Sequence, residues 1–170
     1  IATGLERIGV PDALAGARSF AGQSAIGRPH FAHYLVECGF VKDLGQAFRK
    51  YLGAGKIGDV KQHWSSMEQI ISWIRDGGGT AVIAHPGKYG MTRTRRAALI
   101  EDFKQLGGGA IEVISGLQDP ALTASLAACA TAAGLLTSCG SDFHRPGQPW
   151  ARLGMPLHLP SECKPVWDAW

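Results

Sequence analysis

From Ser65 onward the chain alternates helical stretches with apolar runs of about five residues, each run closed by glycine or a polar residue. Thr80-Ala81-Val82-Ile83-Ala84 lies between Gly77-Gly78-Gly79 and His85-Pro86-Gly87. It is too short for a helix and flanked by breakers, so it reads as a buried strand. Ala110 to Ile114 and Leu135 to Cys139 have the same form. Between them stand helical segments. Ser65 and Glu68 make a capping box ahead of the Met67, Ile70, Ile71, Ile74 stripe. A second helix covers about Arg95 to Leu106, and a third about Pro120 to Ala133 before Gly134. Strands alternating with helices imply an α/β fold with a parallel sheet. A last strand is expected near Met155 to Leu159 and a helical turn over Val166 to Trp170. Trp73, Trp167 and Trp170 fall at helical spacing and read as packing residues.

Residues 1–57 differ in texture and read as short helices alone. Ala13 to Ala21 follows Pro11 and Asp12, Phe31 to Cys38 has Pro29 near its first turn, and Leu44 to Leu52 stops at Gly53. Phe31, Tyr34, Leu35 and Cys38 repeat at i, i+3, i+4, i+7, as do Leu44, Ala47, Phe48, Tyr51 and Leu52. The expectation is a small helical subdomain over 1–57 and an α/β region over 58–170. With 45 % apolar and 18 % charged residues the chain is globular rather than disordered. No apolar run approaches the roughly 18 residues of a membrane span. A net charge of +3, without a block of five like charges, is too mild for a protein that coats nucleic acid. Arg93, Arg95 and Arg96 form the densest basic cluster, read as a solvated helix start or a phosphate patch. Cys38, Cys129, Cys139 and Cys163 lack metal-finger spacing and are expected to be reduced, mostly buried thiols. With no signal peptide ahead of them, that usage leads us to expect a cytoplasmic protein, although the chain opens at Ile1 rather than Met.

In parallel βα architectures, useful side chains project beyond the carboxyl ends of the strands. Here those ends carry His85-Pro86-Gly87, Ser115-Gly116 and Gly140-Ser141-Asp142-Phe143-His144. In extended backbone Asp142 and His144 point to one side, and with His85 they suit a divalent metal ion. The plainer alternative has Asp142 capping the turn while His144 bonds a loop. A second constellation could bind an anion. Gly27-Arg28-Pro29-His30 leads into a helix N-terminus, and the glycine loop 53–58 surrounds Lys56 without the Ser or Thr of a Walker motif. Lys88, three residues after His85, is either a cation beside the rim or an exposed loop lysine. His33 and His63 have no spaced partner and His158 sits in a polar-flanked edge run, so each reads as a surface or satisfied histidine, and Trp64 and Trp150 are either base-stacking surfaces or core or interface residues. Ser141 lacks the flanking glycines of a nucleophile elbow.

Ala84-His85-Pro86-Gly87 and Gly140-Ser141-Asp142-Phe143-His144 resemble the third and fourth metal-binding motifs of the PHP (polymerase and histidinol phosphatase) family. The similarity extends through Gly27-Arg28-Pro29-His30-Phe31-Ala32, Leu35-Val36-Glu37-Cys38-Gly39 and Lys50-Tyr51-Leu52-Gly53-Ala54-Gly55-Lys56. It points to the bacterial branch that removes the 3′-phosphate of nucleoside 3′,5′-bisphosphates and trims short RNA from the 5′ end. The resemblance implies the C-terminal part of a distorted (βα)7 barrel, with residues 1–57 as a helical insertion covering the substrate. It implies His85, Asp142 and His144 as ligands in a site of two or three divalent ions, Mn²⁺ first, with Fe²⁺, Zn²⁺ or Mg²⁺ as alternatives. Arg28, His30, Lys56 and Lys88 would contact phosphate on a nucleotide or short oligoribonucleotide hydrolysed through metal-activated hydroxide.

The family's N-terminal His-x-His, Thr-Asp-His-Asp and Gly-x-Glu motifs do not occur in this sequence. The resemblance therefore implies dependence on a missing N-terminal half of the barrel. The chain alone is expected to be inactive and to expose strand edges; the alternative is a non-catalytic nucleotide-binding or interaction fragment.

Overall fold

A computed structural model describes residues 1–60, 64–144 and 146–169. The chain divides into two compact units, Ile1–Trp64 and Ser65–Trp170.

The first unit is helical: α1 (Ala2–Arg7), α2 (Ala13–Ala21), α3 (Arg28–Glu37) and α4 (Leu44–Ala47), the last running into a π-helical turn, Phe48–Leu52. Its core joins Leu5, Val10, Phe31, Leu35, Val41 and Leu52. Sequence periodicity finds α2 at its observed bounds but starts α3 three residues late. Gly27 caps that helix in extended conformation and Pro29 occupies its first turn, so it begins at Arg28. Helix α1 buries only Leu5, too little to leave a periodic signal. The expected continuous helix 44–52 starts as foreseen, with Asp43 accepting the Gln46 N–H at 2.8 Å. Its second half winds wider: the Gly53 N–H donates to the Phe48 carbonyl five residues back, at 2.8 Å. A side chain at position 53 would stand 2.7 Å from that carbonyl, so glycine permits this closure.

The second unit contains α5 (Met67–Asp76), β1 (Val82–Ile83), α6 (Arg93–Gln105), β2 (Ala110–Ser115), α7 (Pro120–Ala133) and β3 (Leu136–Gly140). The strands form a parallel sheet in the order β1-β2-β3. This is the α/β arrangement expected from the alternation. Ile83, Ile111, Val113, Ile100, Phe103, Leu126 and Ala130 share one core. The register places Val82 beside Ala110, then Glu112 beside Ser138, so the pleat puts these four on one face. Val82 on the edge strand is exposed.

Several expectations are corrected. The cap of α5 is Ser66, whose Oγ accepts the Gln69 N–H at 3.2 Å, so the Ser65–Glu68 box does not form. Ser66→Ala is expected to destabilise the protein by about 1 kcal/mol and Ser65→Ala by under about 0.5 kcal/mol, measured by urea unfolding. On α5 only Ile71 is buried; Ile70 and Ile74 are exposed, and Trp73, read as packing, is 58 % exposed. Trp167 is exposed as well, while Trp170 and His63 lie outside the described residues. Residues 155–159 form no strand, because Pro156 removes a backbone donor within that run and Pro160 another just after it. Leu157 and Leu159 still pack on the core, and β3 instead meets the chain at 164–165, where Thr137 N–H donates to the Lys164 carbonyl at 2.8 Å. The four cysteines are free, but Cys38 is exposed and the other three are half-buried. Among the described residues, no helix is long and apolar enough to cross a membrane.

Candidate active site

After β1 the chain turns sharply. His85 adopts the left-handed region (φ 35°, ψ 53°) and opens a short 3₁₀ turn, Pro86–Lys88. After β3, Asp142 is also left-handed (φ 53°). The extended-backbone argument for Asp142 and His144 therefore does not apply. The pair is adjacent for another reason: the turn brings His144 Nδ1 to 2.8 Å from the Asp142 carbonyl oxygen and 3.7 Å from Oδ1. Lys88 Nζ donates to Asp142 Oδ2 at 2.5 Å, tying the loop after β1 to the loop after β3. Partial burial pushes the Asp142 carboxyl up, but the bond and charge of Lys88, with His85 and His144, hold it below its ordinary value. At the end of β2, the buried Ser115 hydroxyl has no hydrogen-bond partner among the described residues.

Glu112 belongs to this site and sequence reasoning missed it. It is a half-buried carboxylate in the middle of β2, between the fully buried Ile111 and Val113. Its Oε2 accepts the His85 backbone N–H at 2.6 Å. Burial raises its pKa, opposed by that amide bond and by the charges of His85 and Lys88. Burial and the Glu112 charge together also raise the Tyr89 hydroxyl and the Cys139 thiol. A left-handed non-glycine residue costs about 1–2 kcal/mol. A hydrogen bond to a charged group contributes about 1.5–3 kcal/mol, which is enough to hold His85 in place. The available signal was a lone carboxylate inside Ala110-Ile111-Glu112-Val113-Ile114, since a charge in a buried strand requires a partner.

His85 Nδ1 is buried without a hydrogen-bond partner among the described residues. Its ring meets Tyr89 edge-on, with centroids 5.7 Å apart, and the Tyr89 hydroxyl donates to the Ala84 carbonyl at 2.6 Å. An orphaned imidazole nitrogen beside a carboxylate and a second imidazole is suitable donor chemistry for a divalent ion. Among the described residues, however, no three His, Cys, Asp or Glu side chains gather closely enough to hold one. His85, Asp142 and His144 thus offer donor types that suit such an ion without enclosing one by themselves.

The first unit carries the other anion-binding candidates. Arg28 opens α3, its Nη1 lies 3.5 Å from the Leu52 carbonyl, and with Gly58, Asp59, Val60 and Trp64 it lines a pocket of about 570 Å³. Trp64 is 72 % exposed there, so it is not core. His30 Nδ1 accepts the Gly27 N–H at 2.9 Å, a capping bond that commits this nitrogen. Lys56 is exposed in the glycine loop, where the Gly55 N–H donates to Asp59 Oδ2 at 2.7 Å. His33 stacks on Phe20, and Trp150 and His158 are exposed. Thr92 caps α6 just ahead of Arg93 and Arg95, which are exposed.

No family model matches the chain. It is 42 % identical over 170 residues to the 5′-3′ exoribonuclease Rnm of Escherichia coli K12, covering all of this chain and 58 % of that protein. It is 44 % identical over 164 residues to the 3′,5′-nucleoside bisphosphate phosphatase of Chromobacterium violaceum, covering 96 % of this chain and 58 % of that protein. The fold is similar, with a TM-score of 0.84 and 42 % identity, to an amidohydrolase from Chromobacterium violaceum solved with bound sulfate and no metal. That match covers 99 % of this chain and 58 % of the solved one. The chain thus spans less than two thirds of the length of these relatives.

Proposed function

We propose that this chain, similar over its whole length to a bacterial 5′-3′ exoribonuclease and over 96 % of it to a nucleoside bisphosphate phosphatase, is the C-terminal portion of a PHP-family metal-dependent phosphoesterase. The substrate is a nucleoside 3′,5′-bisphosphate or a short oligoribonucleotide shortened from its 5′ end. The observation that carries the reading is the joining of the loops after β1 and β3, where Lys88 donates to Asp142 and the His144 ring lies against Asp142. In this reading residues 58–170 supply the last strands of a distorted (βα)7 barrel and residues 1–57 a helical insertion over the substrate. Four free cysteines accord with a reducing cytoplasm.

His85, Asp142 and His144 hold part of a divalent-metal site, Mn²⁺ by preference, completed by residues of the longer protein. Bound there, such ions supply a nucleophile at neutral pH and neutralise phosphoryl oxygens. The chain's own residues bind and orient. Asp142 stays ionised because Lys88 and the two histidines favour its charged form. Lys88 brings an ammonium to the rim where the substrate's phosphate charge must be met, and Arg28, with His30 and Lys56, offers further contacts for phosphate.

The full-length protein with Mn²⁺ is expected to release inorganic phosphate from a nucleoside 3′,5′-bisphosphate and 5′-mononucleotides stepwise from 5′-phosphorylated RNA. Release from histidinol phosphate with neither of these would overturn the reading. The 170-residue chain alone is expected to show no turnover, since its described donors do not enclose an ion. Stoichiometric metal with phosphate release by that chain would contradict this.

A further inference from the structure

We propose that Glu112 is a positioning residue, whose carboxylate fixes the left-handed backbone of His85 and thereby aims the imidazole into the rim. The claim about the backbone stands on this chain's geometry; its extension to metal binding rests on the function proposed above.

Three observations converge on it. The first is the bond itself: Glu112 Oε2 accepts the His85 N–H at 2.6 Å across 27 residues of sequence, joining the middle of β2 to the second residue beyond β1. A backbone N–H held this way fixes the peptide plane ahead of His85. The φ of 35° then determines where the Cα–Cβ bond points. The second is room made for the carboxylate from the neighbouring strand. A Cβ at Gly140 would lie 2.9 Å from Glu112 Oε1, so the glycine ending β3 leaves space for the other oxygen. The third is the break in register between Glu112 and Ile114 on β2, an irregularity of the kind that re-aims side chains near sites.

Position also explains why the residue is charged. Glu112 shares its sheet face with Val82, Ala110 and Ser138, where an aliphatic side chain would fill space without desolvating a carboxylate. His85, Lys88 and Asp142 are the charged and titratable groups of the rim that act on it, with Tyr89 and Cys139 close enough to feel its charge. Glu112 reaches the rim through the His85 backbone, leaving the orphaned Nδ1 of the ring available for a ligand.

The test compares Glu112→Ala with Glu112→Gln in the full-length protein, reading the His85 amide and imidazole resonances by NMR and Mn²⁺ affinity by calorimetry. Glu112→Ala is expected to shift the His85 amide upfield as the hydrogen bond is lost. It should also weaken Mn²⁺ binding by about 10- to 100-fold, the usual effect of losing an outer-shell partner. Glu112→Gln keeps an acceptor oxygen and should retain the His85 resonances and most of the affinity. Unchanged His85 resonances in Glu112→Ala, or a Gln variant as impaired as the Ala variant, would overturn the proposal.

Should Glu112→Ala fail to fold, Gly140→Ala displaces the carboxylate without removing it, because the atom it meets is the end of a flexible side chain. The same His85 shift is expected there, and its absence counts against the proposal. A parent protein that binds no divalent ion defeats the metal reading alone. The positioning claim is then decided by the His85 resonances.

Discussion

Asp142→Ala in the full-length protein is expected to lower phosphate release from a nucleoside 3′,5′-bisphosphate by more than about 100-fold, beyond what loss of an outer-shell partner costs. Metal content should fall with it. Asp142 is where the rim's interactions meet: Lys88 donates to Oδ2, and the His144 ring lies against both its carbonyl and its carboxylate. Removing the carboxylate deletes the oxygen donor proposed for the metal and leaves Lys88 without this partner in the same step. Lys88→Met separates these effects. It removes the ammonium but keeps the donor, so it should raise KM for the anionic substrate while metal content stays near that of the parent. Parent-like turnover and metal content in Asp142→Ala would remove Asp142 from the site.

The second large effect is expected from Gly116→Ala, which should destabilise the protein by about 2–5 kcal/mol in urea unfolding, combining left-handed strain with overpacking. Gly116 sits just beyond β2 with φ at 63°. Its N–H donates to the Gly140 carbonyl at 2.7 Å, and the next residue, Leu117, donates to the Trp150 carbonyl at 2.7 Å. A Cβ here would stand 2.5 Å from the Trp150 carbonyl oxygen and 3.0 Å from that of Ser141. Both are backbone atoms that cannot swing aside, and Ser141 precedes Asp142. Stability and site geometry should therefore fail together. Gly134→Ala is the control: it has a similar φ of 67° and no atom of the described residues within 4 Å of an added Cβ, so it should cost only the backbone strain, about 1–2 kcal/mol. Equal losses at the two positions would show that the carbonyl contacts do not matter.

Elements bounded by strong local signals were legible before any coordinates. Helix α7 begins at Pro120 after Asp119 and ends before Gly134, and both boundaries follow from capping chemistry. Strands β2 and β3 fall within one residue of their apolar runs. Strand β1 shrinks from five residues to two because it lies at the sheet edge and pairs on one side alone. The 155–159 run looked like a strand because its apolar residues alternate, yet Pro156 within it and Pro160 just after it cannot donate to a ladder.

At the site, chain position near strand ends marked His85, Asp142 and His144, but the local backbone was misjudged. Two left-handed non-glycine residues, His85 and Asp142, are invisible to periodicity. Glu112 was obscured by its apolar neighbours: a window that averages hydrophobicity treats one carboxylate as noise. Its partner, 27 residues away in sequence, exists only once the sheet is assembled.

The π-helical turn after α4 has a consequence of phase. Each residue of an α-helix advances the chain by about 100°, so one extra residue within a turn rotates all that follows by about that amount relative to the preceding face. The Phe48–Leu52 turn contains such an extra residue, closed by Gly53 on Phe48. The bearing from which the Lys56 loop departs is thus set by an integer, the number of residues in one turn, rather than by the Lys56 side chain. Side-chain substitution there would leave that bearing intact, whereas deletion of a single residue from the turn would swing the loop around the helix axis.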